Sequence, residues 1–421
     1  MQFSQFANRY RQQTGTVQLM RDLDAAQAAS GPVYMLGGGN PAHIPEVEAV
    51  FQEAMLALAG DTLTFGRTVG EYDGPQGGLR FRQALAKLLQ QRFGWGVTED
   101  HIAITNGSQS SFGLIFNAFA GQFGPEQDSF RKILLPLTPE YVGYTDVGLA
   151  EQPIFEGHRP NIELLPDRQF KYRVNFDDLR IDSSYGAVCV SRPTNPTGNV
   201  ITDDELQKLL GRCESAGIPL IIDGAYGLPF PGMIFTDATP LWNENVVLCL
   251  SLSKLGLPGL RTGIVVASPE LIELIRNANA INNLAPGSVG PELLAPLIEN
   301  GQVLALSEQT IRPYYQQKAE LARTLINEAM ADIPVRVHRP EGALFLWLWF
   351  EGLPITSDEL YQRLVNRGVY IIPGHHFYPG LDEDWPHRHE CIRVNYAASN
   401  ATVEEGIGII AEVVRQAFED G

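Results

Sequence analysis

The chain has 421 residues, 44% hydrophobic and 19% charged, the composition of a soluble globular protein of two or more domains that needs no disulfide staples. Lys plus Arg number 31 against 49 Asp plus Glu, a formal charge of −18, so nucleic-acid phosphates and anionic membrane surfaces are repelled. Any anionic ligand must therefore be met by a local set of donors. Cys189, Cys213, Cys249 and Cys391 form no CxxC pair, which predicts reduced thiols and a cytoplasmic location. No secretory leader is read in residues 1–11, and apolar runs such as 343–350 are short of a membrane span.

In chain order, Leu36-Gly37-Gly38-Gly39-Asn40-Pro41 comes first. It is not a dinucleotide fingerprint, because Pro41 replaces the third glycine; its glycines suit a close backbone approach to a ligand. From about 100 to 270, short β-rich apolar segments alternate with helical periodicity, the pattern of a mainly parallel sheet covered by helices. The strand candidates are 102–105, 133–137, 186–191, 219–223, 246–250 and 263–267, and ligands collect at the carboxyl ends of such strands. Residues 121–131 and 157–168 read as solvated connections. After about 290 come a long helical stretch over 291–330, an apolar segment around 345–349 and a terminal helix over 402–418. The fold class expected is α/β, with a large domain over 41–300 and a smaller α+β domain from 1–40 and 301–421.

Four of these strand ends carry chemistry. Thr105-Asn106-Gly107-Ser108-Gln109-Ser110 leads into a helix, whose free N–H groups can bind an anion; no GK[ST] follows, so it is not a P-loop. Ser191-Arg192-Pro193-Thr194-Asn195-Pro196-Thr197-Gly198 holds an Asn in a rigid turn, and Asp223-Gly224-Ala225-Tyr226 puts an acid at the end of a buried strand. Ser251-Leu252-Ser253-Lys254, with Arg261 seven residues on, offers a lysine that partial burial would make nucleophilic, beside hydroxyls and a guanidinium suited to a phosphate. Taken singly, these are also an ordinary turn, a helix N-cap aspartate and a surface lysine in a Gly-rich loop.

Together with Pro139-Glu140-Tyr141 and Arg393 in Cys391-Ile392-Arg393-Val394-Asn395-Tyr396, their order resembles the pyridoxal-phosphate-dependent aminotransferases of fold type I, class I/II, over essentially the whole chain. The resemblance implies a fold type I transferase, pyridoxal 5′-phosphate as cofactor, amino-acid and 2-oxo-acid substrates, and a homodimer. It implies that Lys254 holds the cofactor covalently and then moves the substrate proton, and that Asp223 pairs with the pyridine nitrogen. Asn195 and Tyr226 would meet the phenolic oxygen, and Tyr141 the ring face. The phosphate would fall to Ser108, Gln109, Ser251, Ser253 and Arg261, with Tyr72 reaching that of the neighbouring subunit. Arg393, with the Gly38 backbone and Asn195, would take the substrate carboxylate.

Closer likeness over 36–41, 72–77, 191–202, 251–258 and 346–350 is to the alanine-forming, branched-chain branch of the family, which implies valine or a similar small apolar donor and pyruvate as acceptor. A broad aromatic and branched-chain aminotransferase, a C–S β-lyase and a ligand-sensing regulator are the alternatives; the last would call for a basic DNA-binding module that neither length nor charge suggests. His375, His376, His387 and His389 fall in Pro- and Gly-containing loops and read as loop or entrance residues, so no metal is expected. Trp347 and Trp349 read as core, and Arg192 is left unassigned.

Overall fold

The computed structural model describes residues 1–11, 14–28, 31–125 and 129–421. Among these, eight strands form the main sheet. Val246–Ser251, Leu220–Asp223, Tyr185–Ser191 and Phe130–Leu135 run parallel in that spatial order, with Phe155–Gly157 parallel beside the last. Gly263–Val266 lies antiparallel between Val246–Ser251 and Ile102–Thr105, and short Gly121–Gln122 pairs antiparallel with Phe130–Leu135. Ile102–Thr105, Tyr185–Ser191, Leu220–Asp223, Val246–Ser251 and Gly263–Val266 are buried throughout because both faces are covered, and Phe130–Leu135 is buried over its last three residues.

Alternation along each strand divides the core in two. Ala103, Ile133, Ala187, Cys189, Ile221, Val247, Cys249 and Val265 pack on one face, against Phe112, Ile115 and Phe116 of the helix Ser108–Phe119. Their neighbours Ile104, Leu134, Val188, Val190, Ile222, Leu248, Leu250 and Ile264 face the other way into the larger cluster. Asp203–Ala216 starts on a Thr202/Glu205 capping box and ends at left-handed Gly217, so its limits follow from local chemistry.

The second sheet has six strands, mostly antiparallel, and is built chiefly from Val335–His338, Phe345–Phe350, Ile372–Pro373 and Cys391–Asn395. The hairpin Asn161–Leu165/Gln169–Arg173 completes it by pairing with Val335–His338. Residues 157–168 are thus no simple loop, and this hairpin, within 41–300 in sequence, lies outside the main sheet. Its first strand is mostly exposed and carries no apolar alternation to announce it. Residues 121–131 likewise contain strand ends, while 126–128 lie outside the described residues. The stretch 291–330 is not one helix: Val289–Glu299 stops before Gly301 (φ 78°), and Gln302–Leu306 and a π turn over Ser307–Ile311 lead into Arg312–Ala329. Tyr34–Met35 pairs with Val369–Tyr370, which brings Gly37–Gly39 against Cys391–Asn395. No helix among the described residues is long and apolar enough to cross a membrane.

Gly186 sets how closely helix Ser108–Phe119 approaches strand Tyr185–Ser191, since a Cβ there would lie 1.6 Å from Phe119 O. Gly186→Ala is expected to cost at least the roughly 1–3 kcal/mol typical of overpacking, seen as a lower denaturation midpoint. An unchanged midpoint would contradict this packing.

Candidate active site

The carboxyl ends of the parallel strands open on a cavity of about 180 Å³ between the two sheets. Lys254 sits on a 3₁₀ turn directly after Val246–Ser251 and reaches the cavity from one side. Its Nζ donates to Gly39 O at 2.5 Å and lies 5.5 Å from the centre of the Tyr226 ring. Loss of hydration, then the positive charges of Arg393 and Arg261, push its pKa down to about 8, against a smaller pull from Asp223. Roughly a tenth of its amine is then unprotonated at pH 7.

Asp223 ends strand Leu220–Asp223 and is buried. Its Oδ1 accepts from Ala225 N (2.9 Å) and its Oδ2 from Tyr144 OH (2.7 Å). Burial raises its pKa, while those two donors and Lys254 oppose the rise.

Arg393 comes from the second sheet and is 2% exposed. Its Nη1 donates to Asn195 Oδ1 (2.7 Å) and its Nη2 to Gly37 O (2.6 Å), both neutral oxygens, and its Nε has no partner. The centre of the Phe345 ring lies 4.0 Å from the guanidinium carbon, and burial lowers the pKa to about 10. A buried guanidinium without an anion is costly, and its planar donors suit a carboxylate.

A second anion cradle lies at the start of helix Ser108–Phe119. No acid occupies its first turn and no side chain caps it. Gly107 (φ 93°) leaves room for Arg261, since a Cβ there would fall 2.2 Å from Arg261 Nη2; a Cβ on Gly263 would fall 2.6 Å from Ser108 N. Ser108, Ser251, Ser253 and Arg261 line the cavity around this end, a donor set that suits a phosphate.

The cavity wall therefore gathers Ser108, Gln109, Tyr141, Asn195, Asp223, Tyr226, Ser251, Ser253, Lys254, Arg261 and Arg393. Gly38 stands just behind it, its carbonyl accepting from Asn395 Nδ2, while the adjacent Gly39 lines the wall. Tyr72 is not brought there; it is 81% exposed. Arg192 is a clamp between chain segments, donating to Ile201 O, Thr239 O and Asp203. His387 is buried and bonded to Tyr172 OH rather than lining an entrance, and His375 stacks on His389. Among the described residues no group of His, Cys, Asp and Glu could hold a metal ion.

Four features escaped the sequence reading. Leu19, from the helix Gly15–Ala28, and Phe112 line the cavity without any motif. Tyr144 and Glu140 stand behind Asp223; Glu140 lies inside the motif Pro139-Glu140-Tyr141, where it was given no role, and Tyr144 follows that motif by three residues.

The class I and II aminotransferase model matches residues 34–410, and the chain belongs to that family, whose cofactor is pyridoxal phosphate. The residues fit it: a phosphate cradle at one end, a lysine amine without an acidic partner in the middle, and a buried acid for a ring nitrogen. The valine–pyruvate aminotransferase of Escherichia coli K12 is 48% identical over the whole of both chains. A crystal structure of valine–pyruvate aminotransferase from Salmonella typhimurium LT2 is 48% identical with TM-score 0.88, covering 96% of this chain and all of the other. A crystal structure from Psychrobacter arcticum 273-4 reaches TM-score 0.96 at 45% identity over the whole of both chains.

Only the unprotonated amine attacks a carbonyl. The rate at which the cofactor-free protein captures pyridoxal phosphate through Lys254 is therefore expected to rise with pH and level off above about 8. Stopped-flow absorbance would show this; continued rise toward 10.5, the ordinary lysine value, would contradict the environment described.

Proposed function

We propose that the protein is a homodimeric, cytoplasmic aminotransferase that moves the amino group of valine, or a similar small apolar amino acid, to pyruvate, giving 3-methyl-2-oxobutanoate and alanine. The observation that carries amino-acid chemistry is the buried Arg393 guanidinium, which faces the same cavity as Lys254 and bonds only neutral oxygens. The choice of valine and pyruvate is supported by the E. coli relative. A shared apolar pocket separates side chains that differ by one methylene by only about 1–3 kcal/mol, so related amino acids should also react.

Bound pyridoxal phosphate supplies a carbonyl that condenses with amines and a ring that accepts the electron pair left when the Cα proton departs. The protein's residues direct that chemistry. Arg393 and Asn195, with the backbone of 37–39, hold the substrate carboxylate and thereby orient Cα toward Lys254. Lys254, its amine freed, takes the proton from Cα and returns it on the other side of the transfer; a pKa near 8 suits both directions at neutral pH. Asp223 holds a proton at the ring nitrogen, and Tyr226 and Asn195 donate toward the phenolic oxygen. Tyr141 covers a ring face. Ser108, Gln109, Ser251, Ser253 and Arg261 fix the phosphate and so the register of everything else.

The dimer is supported by exposed apolar side chains, among them Met55, Leu56, Leu63, Phe65 and Val69, in the segment that leads to Tyr72. Tyr72 would complete the phosphate site of the partner. Tyr72→Phe is then expected to weaken cofactor binding about tenfold, an effect of roughly 1.4 kcal/mol, although Tyr72 is exposed in the single chain. An unchanged Kd would separate Tyr72 from the site. The direct test of the function is Lys254→Ala: amino transfer from valine to pyruvate should vanish, and borohydride should no longer fix the cofactor to the protein. Retained turnover would overturn the assignment.

A further inference from the structure

Behind Asp223 lies a chain of polar groups that the transfer reaction does not account for. Tyr144 OH is 2.7 Å from Asp223 Oδ2 and 3.2 Å from Ser191 Oγ. Ser191 Oγ is in turn 2.5 Å from Glu140 Oε2, and Ser191 N–H donates to Glu140 Oε1 at 2.9 Å. Glu140 and Tyr144 are fully buried, Ser191 is 2% exposed and Asp223 7% exposed. The register explains the arrangement, since Ser191 and Asp223 are paired across adjacent parallel strands.

The protons can be counted. Three O···O contacts link the two carboxyl groups through two hydroxyls. Two hydroxyls supply two protons, so with both carboxyls ionised one contact would set lone pair against lone pair. The chain closes only if one carboxyl carries a proton. We infer that Glu140 is that group: a buried, neutral carboxylic acid whose O–H points to Ser191, so that Ser191 donates to Tyr144 and Tyr144 to Asp223. Glu140 is thereby a positioning residue that keeps Asp223 an anion facing the cofactor's ring nitrogen.

The choice between the two carboxyls follows from their surroundings. Asp223 accepts from both Ala225 N–H and Tyr144, and the positive charge of Lys254 favours its ionised form. Glu140 is acted on by Ser191, Asp223 and the Tyr141 backbone, with Tyr144 and Cys189 also near it; none of these is a cation. Burial pushes its pKa up to about 8, with Ser191 opposing and Asp223 adding to the rise. Below that pH the proton stays on Glu140, the state the counting requires.

The inference rests on the reading of Asp223 as partner of the cofactor ring. Its test does not depend on substrate or turnover. Infrared spectra of the holoenzyme at neutral pH, with isotopically labelled glutamate and separately labelled aspartate, should show one protonated-carboxyl stretch that shifts with the glutamate label and is missing from Glu140→Gln. Absence of such a band, or a band that shifts with labelled aspartate, would overturn the inference. Because the wild-type protein alone decides this, a variant that fails to fold leaves the test intact. A second readout is the pH at which the bound cofactor's absorbance changes. Glu140→Leu, which leaves Ser191 nothing to accept from, should displace that pH; Glu140→Gln, whose amide N–H can replace the acid O–H, should restore it. Equal displacement by both would also overturn the inference. A protein that shows the glutamate band but does not transfer amino groups from valine would refute the proposed function and leave this network standing.

Discussion

The structure turns on positive charge buried without its counter-ion. Arg393 is enclosed by Phe345, Phe377 and neutral oxygens, and Lys254 is held at the strand ends, where the pull of Asp223 on its charge is outweighed by burial and two arginines. Such groups cost stability in a folded chain unless a ligand completes them. In a protein of formal charge −18, these two sets of donors are therefore local constructions, and they share one cavity. One end offers a helix start and Arg261, donors that suit a phosphate. The other offers the buried Arg393 guanidinium, which suits a carboxylate. The Lys254 amine opens on the same cavity.

Strand geometry delivers this arrangement. Parallel strands end on one edge, so Ser191, Asp223 and Ser251 arrive side by side, each the last residue of its strand. The antiparallel strand Gly263–Val266 begins at the same edge and brings Arg261 and the close-packed Gly263 to the start of helix Ser108–Phe119. The second sheet contributes Arg393 from its own strand Cys391–Asn395, so this guanidinium joins the strand ends only where the two sheets meet. Asp223 is braced in turn by Tyr144 from a short 3₁₀ turn, which links this acid to the strand beside it.

Much of this was legible because the physics is local. Strands buried on both faces read as unbroken apolar runs, and their polar ends announced Asn195, Asp223 and Lys254. What was not legible depends on the assembled fold. The first strand of the hairpin completing the second sheet is half solvated, and its register is supplied by Val335–His338, far away in sequence. The break near Gly301 was hidden by helical periodicity continuing on both sides of it. Leu19 reaches the cavity from an N-terminal helix with no motif, and Tyr144 looks like any core aromatic until its hydroxyl is seen against Asp223. Arg192 stands beside the Asn195 turn in sequence, yet its donors go to backbone carbonyls and Asp203.

The most direct test of the central claim follows the cofactor's own absorbance in the purified holoenzyme as single substrates are added. If Arg393 and Lys254 serve amino transfer between small apolar partners, valine and alanine each convert the bound cofactor to its amine-carrying form without any second substrate, and pyruvate converts it back. A cofactor spectrum that no amino acid changes, or one that changes with release of ammonia and is not reversed by pyruvate, would contradict the account.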